Sequence, residues 1–416
     1  MANVPSPDRK DTAASPRWLS IVGIGEDGVA GLSPVARGLV SSAEIVFGGR
    51  RHLGLAAPLI RGAARPWPTP FDGAAAEVLR HRGRQICVLA SGDPFHYGIG
   101  AVLARHIDTR EMIAVPAPSA FSLAAAKLGW SLPETVLLSV HGRNLDLLRP
   151  HLQPGARILA LTSDGDGPAA VATLLKENGF GESRLIVLEA LGGPRERIST
   201  TLATDDARGT VDPLNTLAIE VIAARDARIL PRAPGLPDAM FEHDGQITKR
   251  EIRALTLSSL APCRGQLLWD IGAGSGSVSI EWMLTDPTLR AIAVEQNAER
   301  AARIRRNAAA FGVPGLAIVE AAAPAALAGL PEPDAAFIGG GASDSDVLDT
   351  AARALRSGGR LVINAVTVKT EAMLLARHAA LGGELTRIAI SRAGPIGGET
   401  GWRPAMPVTQ WVWVKP

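Results

Sequence analysis

The stretch Leu267-Leu-Trp-Asp270-Ile-Gly272-Ala-Gly274-Ser-Gly276-Ser-Val-Ser-Ile-Glu281 constrains this chain more than any other. An apolar run of strand length stops at a glycine cluster, and a helical pattern starts directly after it. That is the strand, loop and helix order of a nucleotide site in an α/β domain. Glycine permits positive φ and close approach to backbone, while a helix N-terminus presents unpaired N–H groups. The spacing is Gly-x-Gly-x-Gly, not the Gly-x-Gly-x-x-Gly of dinucleotide folds. Asp270 ends the strand, and Arg290-Ala-Ile-Ala-Val-Glu295 reads as the next one. Its terminal carboxylate can accept hydrogen bonds from both hydroxyls of a ribose.

Together these features resemble the S-adenosylmethionine site of the class I methyltransferases. The resemblance implies cofactor contacts at Asp270, Gly272, Ala273, Gly274, Ser275, Gly276 and Glu295. A glycine loop after a strand is common in α/β proteins, so the loop alone would say little. Glu295 and the α/β pattern behind it carry the reading.

At 416 residues the chain exceeds a typical single core, so two or three domains are expected. Its 43 basic and 41 acidic residues leave a net charge of +2. No wide basic field for nucleic acid results, and small molecules are the expected partners. Cys87 and Cys263 stand alone, one in each half, so neither a disulfide framework nor a cysteine metal site is expected. No apolar run reaches membrane-spanning length. Residues 1–17 read as a disordered tail of a cytoplasmic protein.

Along the chain, Trp18 to Gly25 reads as a strand running into Glu26-Asp27-Gly28. Gly23, Gly25 and Gly28 match the dinucleotide pattern formally. Ser33 as N-cap and Pro34 at the first helical position place the helix later than that fold requires, so the loop is too long for nicotinamide binding. Further strands are read at Glu44–Gly48, Gln85–Ala90 and Val136–His141. Ser91-Gly-Asp93-Pro94 forms a sharp bend after the second of these. A proline-bounded loop from Val115 enters a helix ending near Gly129. Ala156–Thr162, Arg184–Glu189 and Asn215–Ile222 read as further strands.

Gly-Ile-Gly near the start, Ser-Gly-Asp-Pro-x-x-Tyr-Gly, Pro-Ala-Pro-Ser-Ala-Phe and Ser-Val-His-Gly-Arg together resemble the tetrapyrrole methylases, the class III methyltransferases. The similarity spans about residues 18–225 and is strongest to the branch acting late in corrin synthesis. It implies two α/β lobes with S-adenosylmethionine between them. By family position the cofactor contacts would come from Gly23, Gly25, Gly92, Asp93, Pro94, Tyr97, Ser119, Thr162 and Asn215. Relatives carry proline and glycine where this chain has Glu26-Asp27-Gly28, a departure in the loop's shape.

Pro231, Pro234 and Pro237 interrupt residues 226–238, which reads as an extended linker. After it, Thr248 can cap a helix with Glu251 completing a capping box. Alternatively this N-terminus lies over the cofactor, with Lys249 and Arg253 meeting an anionic substrate. Strands follow at Leu267–Ile271, Arg290–Glu295, Gly315–Glu320, Asp334–Gly339 and Arg360–Ala365. Leu385–Ser391 and Val408–Val414 close the sheet as an antiparallel pair.

Gln-Ile-Thr-Lys-Arg-Glu-Ile-Arg, the Leu267 stretch and Phe-Ile-Gly339-Gly340-Gly341 resemble the decarboxylating precorrin methyltransferases, over about 239–416. The expected architecture is α/β: an N-terminal two-lobed tetrapyrrole methylase fold plus a C-terminal class I Rossmann-like fold. Each domain would hold one S-adenosylmethionine. The fusion implies methylation of carbons 5 and 15 of precorrin-6B with loss of the ring C acetate carboxyl, giving precorrin-8. Relatives have Glu-Gly-Asp-Ala-Pro where this chain has Glu320-Ala-Ala322-Ala-Pro324, so Ala322 replaces a carboxylate that would face the adenine. The polyanionic tetrapyrrole calls for basic groups, with Arg50, Arg51, His141, Arg143, Lys249 and Arg253 as candidates. Each arginine also fits a solvated surface position. No nucleic acid, membrane or metal is implied, and both families' self-association implies a homo-oligomer. No catalytic acid or base stands out, although His141 and His243 fit a proton donor. Three alternatives stay open: a methyltransferase for nucleic-acid amines, a single-methylation tetrapyrrole enzyme, and a non-catalytic tetrapyrrole-binding protein. The first lacks its Asn/Asp-Pro-Pro-aromatic motif after the fourth strand.

Overall fold

The computed structural model describes residues 17–69, 71–205, 209–340 and 344–416. Nearly all of the expected tail, and Gly341, lie outside the described residues. Two units are distinct: the residues up to Arg143 with Pro154–Ala227, and Asn144–Gln153 with Arg228–Pro416.

The first unit opens with a sheet of β1 (Leu19–Ile24), β2 (Ile45–Gly48), β3 (Ala63–Pro66), β4 (Ile86–Ser91) and β5 (Met112–Val115). The order is β3-β2-β4-β1-β5, and every pairing is parallel. Central β1 is buried throughout, as a strand covered on both faces must be, which is why its sequence runs apolar without alternation. Ser33 caps the helix Pro34–Ser42 by accepting from the Ala36 N–H, as its sequence predicts. A 3₁₀ turn at Gly28–Gly31 fills the interval, so the helix does not open inside the glycine pattern.

The second lobe contains β6 (Thr135–Ser139), β7 (Arg157–Leu161), β8 (Arg184–Glu189), β9 (Arg197–Leu202) and β10 (Asn215–Glu220). Its order is β6-β7-β10-β8-β9, parallel between β6 and β7 and antiparallel elsewhere. Strands β3 and β9 were not legible in the sequence. β3 is exposed along its whole length and β9 over most of it, so neither has a buried face to impose alternation.

In the second unit, β11 (Leu267–Ile271), β12 (Arg290–Val294), β13 (Ala317–Val319), β14 (Ala335–Ile338), β15 (Arg360–Ala365), β16 (Glu384–Ile388) and β19 (Val408–Val414) form one sheet. A hairpin of β17 (Ser391–Ile396) and β18 (Glu399–Pro404) stands beside it. The order β13-β12-β11-β14-β15-β19-β16 puts β11 at the point where strand order reverses. Ligands bind there, beyond the carboxyl ends of the strands. The expected antiparallel closure is present, with Leu385 opposite Trp411. Trp269, Trp282 and Trp411 are fully buried, each contributing roughly 4–6 kcal/mol of transfer free energy before entropy is charged against it. The prolines of 226–238 do prevent a helix, but Leu230 and Leu236 are buried in the core of this unit. That segment is packed down.

Candidate active sites

The loop after β11 takes its shape from glycines that no other residue could replace without strain. Gly272 has φ +70°, and a Cβ there would sit 2.7 Å from the Gly340 carbonyl oxygen. Backbone of two strand ends is thereby brought together. A cavity of about 660 Å³ opens above it, lined on this side by Gly272, Ala273, Gly274, Glu295, Gln296 and Ala322.

Glu295 is 4% exposed and faces this cavity. Its Oε2 accepts from the Gly274 N–H at 2.9 Å and its Oε1 from the Asn297 N–H at 3.0 Å. A carboxylate has about four acceptor positions, so two remain for vicinal hydroxyls. The remaining acceptor positions therefore fit the hydroxyls of an adenosine ribose. Ala321, Ala322 and Ala323 form the neighbouring wall, and their side chains offer no hydrogen bond to a base.

Asp270, Ser275 and Gly276 do not line the cavity. Asp270 is buried beneath it, and its Oδ2 accepts from both the N–H and the hydroxyl of Ser279. Oδ1 has no partner. Burial, opposed by the Ser279 bonds and assisted by the Glu295 charge, pushes this carboxyl up to about 6. Asn307, at 2% exposure, ties the segment at Glu242 to the glycine loop at Ser275. It accepts from the Glu242 N–H and donates to the carbonyls of Glu242 and Ser275. Sequence reasoning missed it because its partners lie 65 and 32 residues away.

Two expectations at the next helix need correction. The helix runs Arg250–Leu260 with Lys249 as N-cap and no side-chain cap, so Thr248 and Glu251 form no capping box. Glu251 instead pairs with Arg392. Arg253, expected at substrate, is completely buried. Its Nε donates to Glu281 Oε1 at 2.5 Å, and its terminal nitrogens reach Asp238 and the carbonyls of Thr248 and Leu236. Glu281 also accepts from the N–H groups of Gly235 and Leu236. The pair fastens the proline segment to the core. Thr248 and Lys249 do line the cavity. His243 does not, and its Nδ1 accepts from the Gly245 N–H.

A second cavity, about 480 Å³, lies in the first unit. Gly25, Gly92, Tyr97, Ser119, His141, Thr162, Asn215 and Arg51 line it. Gly23 acts from beneath: its Cβ would fall 1.9 Å from the Gly92 carbonyl oxygen, so only glycine lets the two loops meet. Several lining polar groups are already engaged. Ser119 accepts from the Ser122 N–H as the N-cap of helix Ala120–Leu128. The Thr162 hydroxyl donates to Asn215 Oδ1 at 2.6 Å, and Asn215 Nδ2 donates to the carbonyls of Asp164 and Asp212. His141 Nδ1 is 3.1 Å from the Thr162 carbonyl.

Asp93 and Pro94 lie outside the lining, with Asp93 Oδ1 accepting from the Phe95 N–H. Arg50 is exposed at the start of helix Arg50–Ala56 and does not line the cavity. Arg143 stacks over the Tyr97 ring at 5.4 Å, also outside it. Glu26, at the departure from the family loop, pairs with Arg51 and lines the cavity. Arg51 also approaches His52, whose imidazole burial holds down to about 4, with the Arg51 charge assisting.

Both halves match family models: Tetrapyrrole (Corrin/Porphyrin) Methylases over residues 19–205 and Precorrin methyltransferase domain over 239–415. The chain is 62% identical over 398 residues to the precorrin-6Y C(5,15)-methyltransferase (decarboxylating) of Sinorhizobium sp, covering 96% of each. It is 36% identical over 168 residues to a protein of Pyrobaculum calidifontis named probable cobalt-precorrin-6B C(15)-methyltransferase (decarboxylating), covering 38% of this chain and 85% of that one. It is 29% identical over 180 residues to the cobalt-precorrin-7 C(5)-methyltransferase of Salmonella typhimurium, covering 43% of this chain and 88% of that one. Full-length similarity of this degree, on two folds that each carry a glycine-bordered cavity, means that the chain belongs to the precorrin-6Y C(5,15)-methyltransferase (decarboxylating) family.

Proposed function

We propose that the chain methylates a reduced precorrin (6B in the sequence-based expectation, 6Y in the relatives' name) at carbons 5 and 15 and removes the ring C acetate carboxyl. The observation that carries the reading is the presence of two separate cavities, each bordered by a glycine loop at the carboxyl end of a parallel sheet. The first domain, about 18–225, takes carbon 5. The second, about 239–416, takes carbon 15 and the decarboxylation. Relatives named for each activity alone, each covering about two fifths of the chain, support this division.

S-adenosylmethionine supplies an electrophilic methyl group, one molecule per domain. In the second domain Glu295 and the loop 272–274 orient it, and in the first domain Gly25, Gly92, Tyr97, Ser119, Thr162 and Asn215 border it. Displacement at a sulfonium by an electron-rich carbon needs alignment and exclusion of water more than a strong base. Cavities without a catalytic triad suit that chemistry. Decarboxylation breaks the carbon–carbon bond, releases carbon dioxide, leaves the electron pair in the conjugated ring system and ends with uptake of a proton. Lys249, Arg392 and Arg51 supply positive charge for the substrate's carboxylates. The enzyme acts in the cytoplasm as a homo-oligomer, and light scattering that gives a monomer mass removes the oligomer.

The test is the mass change of the precorrin, incubated without oxygen with S-adenosylmethionine and the whole chain. Two methyl groups gained and one carbon dioxide lost is the expected result. A single methyl gained with no loss of carbon dioxide points to the single-methylation alternative. Binding of donor without any mass change would overturn the substrate.

A further inference from the structure

Part of the wall of the 660 Å³ cavity in the second unit, away from the glycine loop, comes from the base of the β17–β18 hairpin. Ile390, Ala405, Met406 and Val408 contribute to it, with Val366 from just beyond β15. Met406 is 73% exposed and Val366 53% exposed, so apolar surface faces open space inside a cavity whose other end is polar. The Ala405 N–H bonds to the Ile390 carbonyl at 2.8 Å and closes the base of the hairpin. Among the described residues Arg392 is the cation on this wall, with Lys249 and Arg300 elsewhere in the lining, and it pairs with Glu251 in the first turn of helix Arg250–Leu260. Both side chains are partly exposed, at 51% and 38%, and both line the cavity.

An apolar wall carrying one guanidinium matches a flat, largely apolar macrocycle with carboxylates at its rim. We propose that Arg392 is an acceptor-positioning residue that exchanges Glu251 for a carboxylate of the incoming tetrapyrrole. This rests on the reading of the second unit's cavity as the decarboxylating site. A partly exposed ion pair is weakly held, so exchange between two carboxylates costs little. The guanidinium grips a carboxylate through two parallel N–H bonds and stays charged at any working pH.

The carboxylate that Arg392 takes is one that the reaction keeps. During decarboxylation the negative charge leaves the carboxyl and spreads into the ring. A cation on the departing group would therefore stabilise the ground state more than the transition state. Arg392 holds the rim at a distance from the reacting carbon, and the departing carboxyl faces the apolar side chains.

The experiment uses the full chain, precorrin and saturating S-adenosylmethionine, with carbon dioxide release followed for wild type, Arg392→Ala, Arg392→Lys and Glu251→Gln. Arg392→Ala is expected to raise the KM for precorrin about tenfold or more, with kcat changed much less. Arg392→Lys recovers part of the loss, and Glu251→Gln lowers KM because the guanidinium no longer has a competing partner. Donor affinity stays at the wild-type value in all three, which separates positioning from misfolding. An unchanged KM in Arg392→Ala, or a fall in kcat alone, overturns the assignment while wild-type carbon dioxide release keeps the site reading intact. Absence of carbon dioxide release from the wild type overturns both.

Discussion

Asp270 offers the sharpest physical test, because it is a carboxyl buried beneath a site with one oxygen unpartnered among the described residues. Folding raises it from its ordinary value of 3.8 to about 6. Between these values the folded state binds more protons than the unfolded state, so stability falls as pH rises through that window. The full difference amounts to about 3 kcal/mol of stability present below pH ~4 and lost above pH ~6. Asp270→Asn removes the titration and retains an oxygen that accepts both Ser279 bonds. The unpartnered amide of the variant adds a constant offset that does not depend on pH. The quantity to measure is thus the difference in unfolding free energy between variant and wild type as a function of pH, without donor. Urea unfolding read by hydrogen exchange of the peptide 267–281 reports the second unit alone. The difference should move in the variant's favour by about 2.5 kcal/mol from pH 4 to 7.5, since part of the change is already complete at pH 4. A flat difference, or one that moves toward the wild type, would show that Asp270 ionises without cost, and the reasoning from burial would fail.

Glu295→Ala should weaken S-adenosylmethionine binding by the second unit about 10- to 100-fold, because hydrogen bonds to a charged acceptor are lost; calorimetry that finds binding unchanged refutes its role. Gly23→Ala pushes a methyl group into the Gly92 carbonyl, so carbon 5 methylation should be lost while carbon dioxide release persists. Arg253→Met leaves Glu281 buried without its cation and should cost about 3–5 kcal/mol in denaturant unfolding, with KM for precorrin unchanged. A raised KM at wild-type stability would return Arg253 to the substrate. Thr248→Ala should change stability by less than about 0.5 kcal/mol, since no cap is lost, and a drop typical of a cap, about 1 kcal/mol, contradicts the helix start.

Local pattern carried much of the architecture. Leu19–Ile24 and Leu267–Ile271 are buried on both faces, so their apolar runs announce central parallel strands without any knowledge of neighbours. The positions of Gly272 and Glu295 at the cavity were legible because they sit at the ends of adjacent strands, a relation that chain order preserves. The exposed strands β3, β9, β17 and β18 left no such trace. The β17–β18 segment carries Gly394, Pro395, Gly397 and Gly398, residues that weaken a strand pattern.

Side-chain roles divide along the same line. Residue type made Arg253 and Arg392 equally good anion partners. Only the tertiary structure gave Arg253 to Glu281, 28 residues away in the core, and placed Arg392 on a cavity wall beside Glu251, 141 residues away. The sequence by itself determined two α/β folds and the glycine loops at their strand ends, because strand periodicity and turn chemistry are local. The tertiary structure decided which charges are buried, which are free to turn to a ligand, and that Asp270 lies beneath the site instead of in it. Burial and partner choice depend on segments that meet only after the chain has folded.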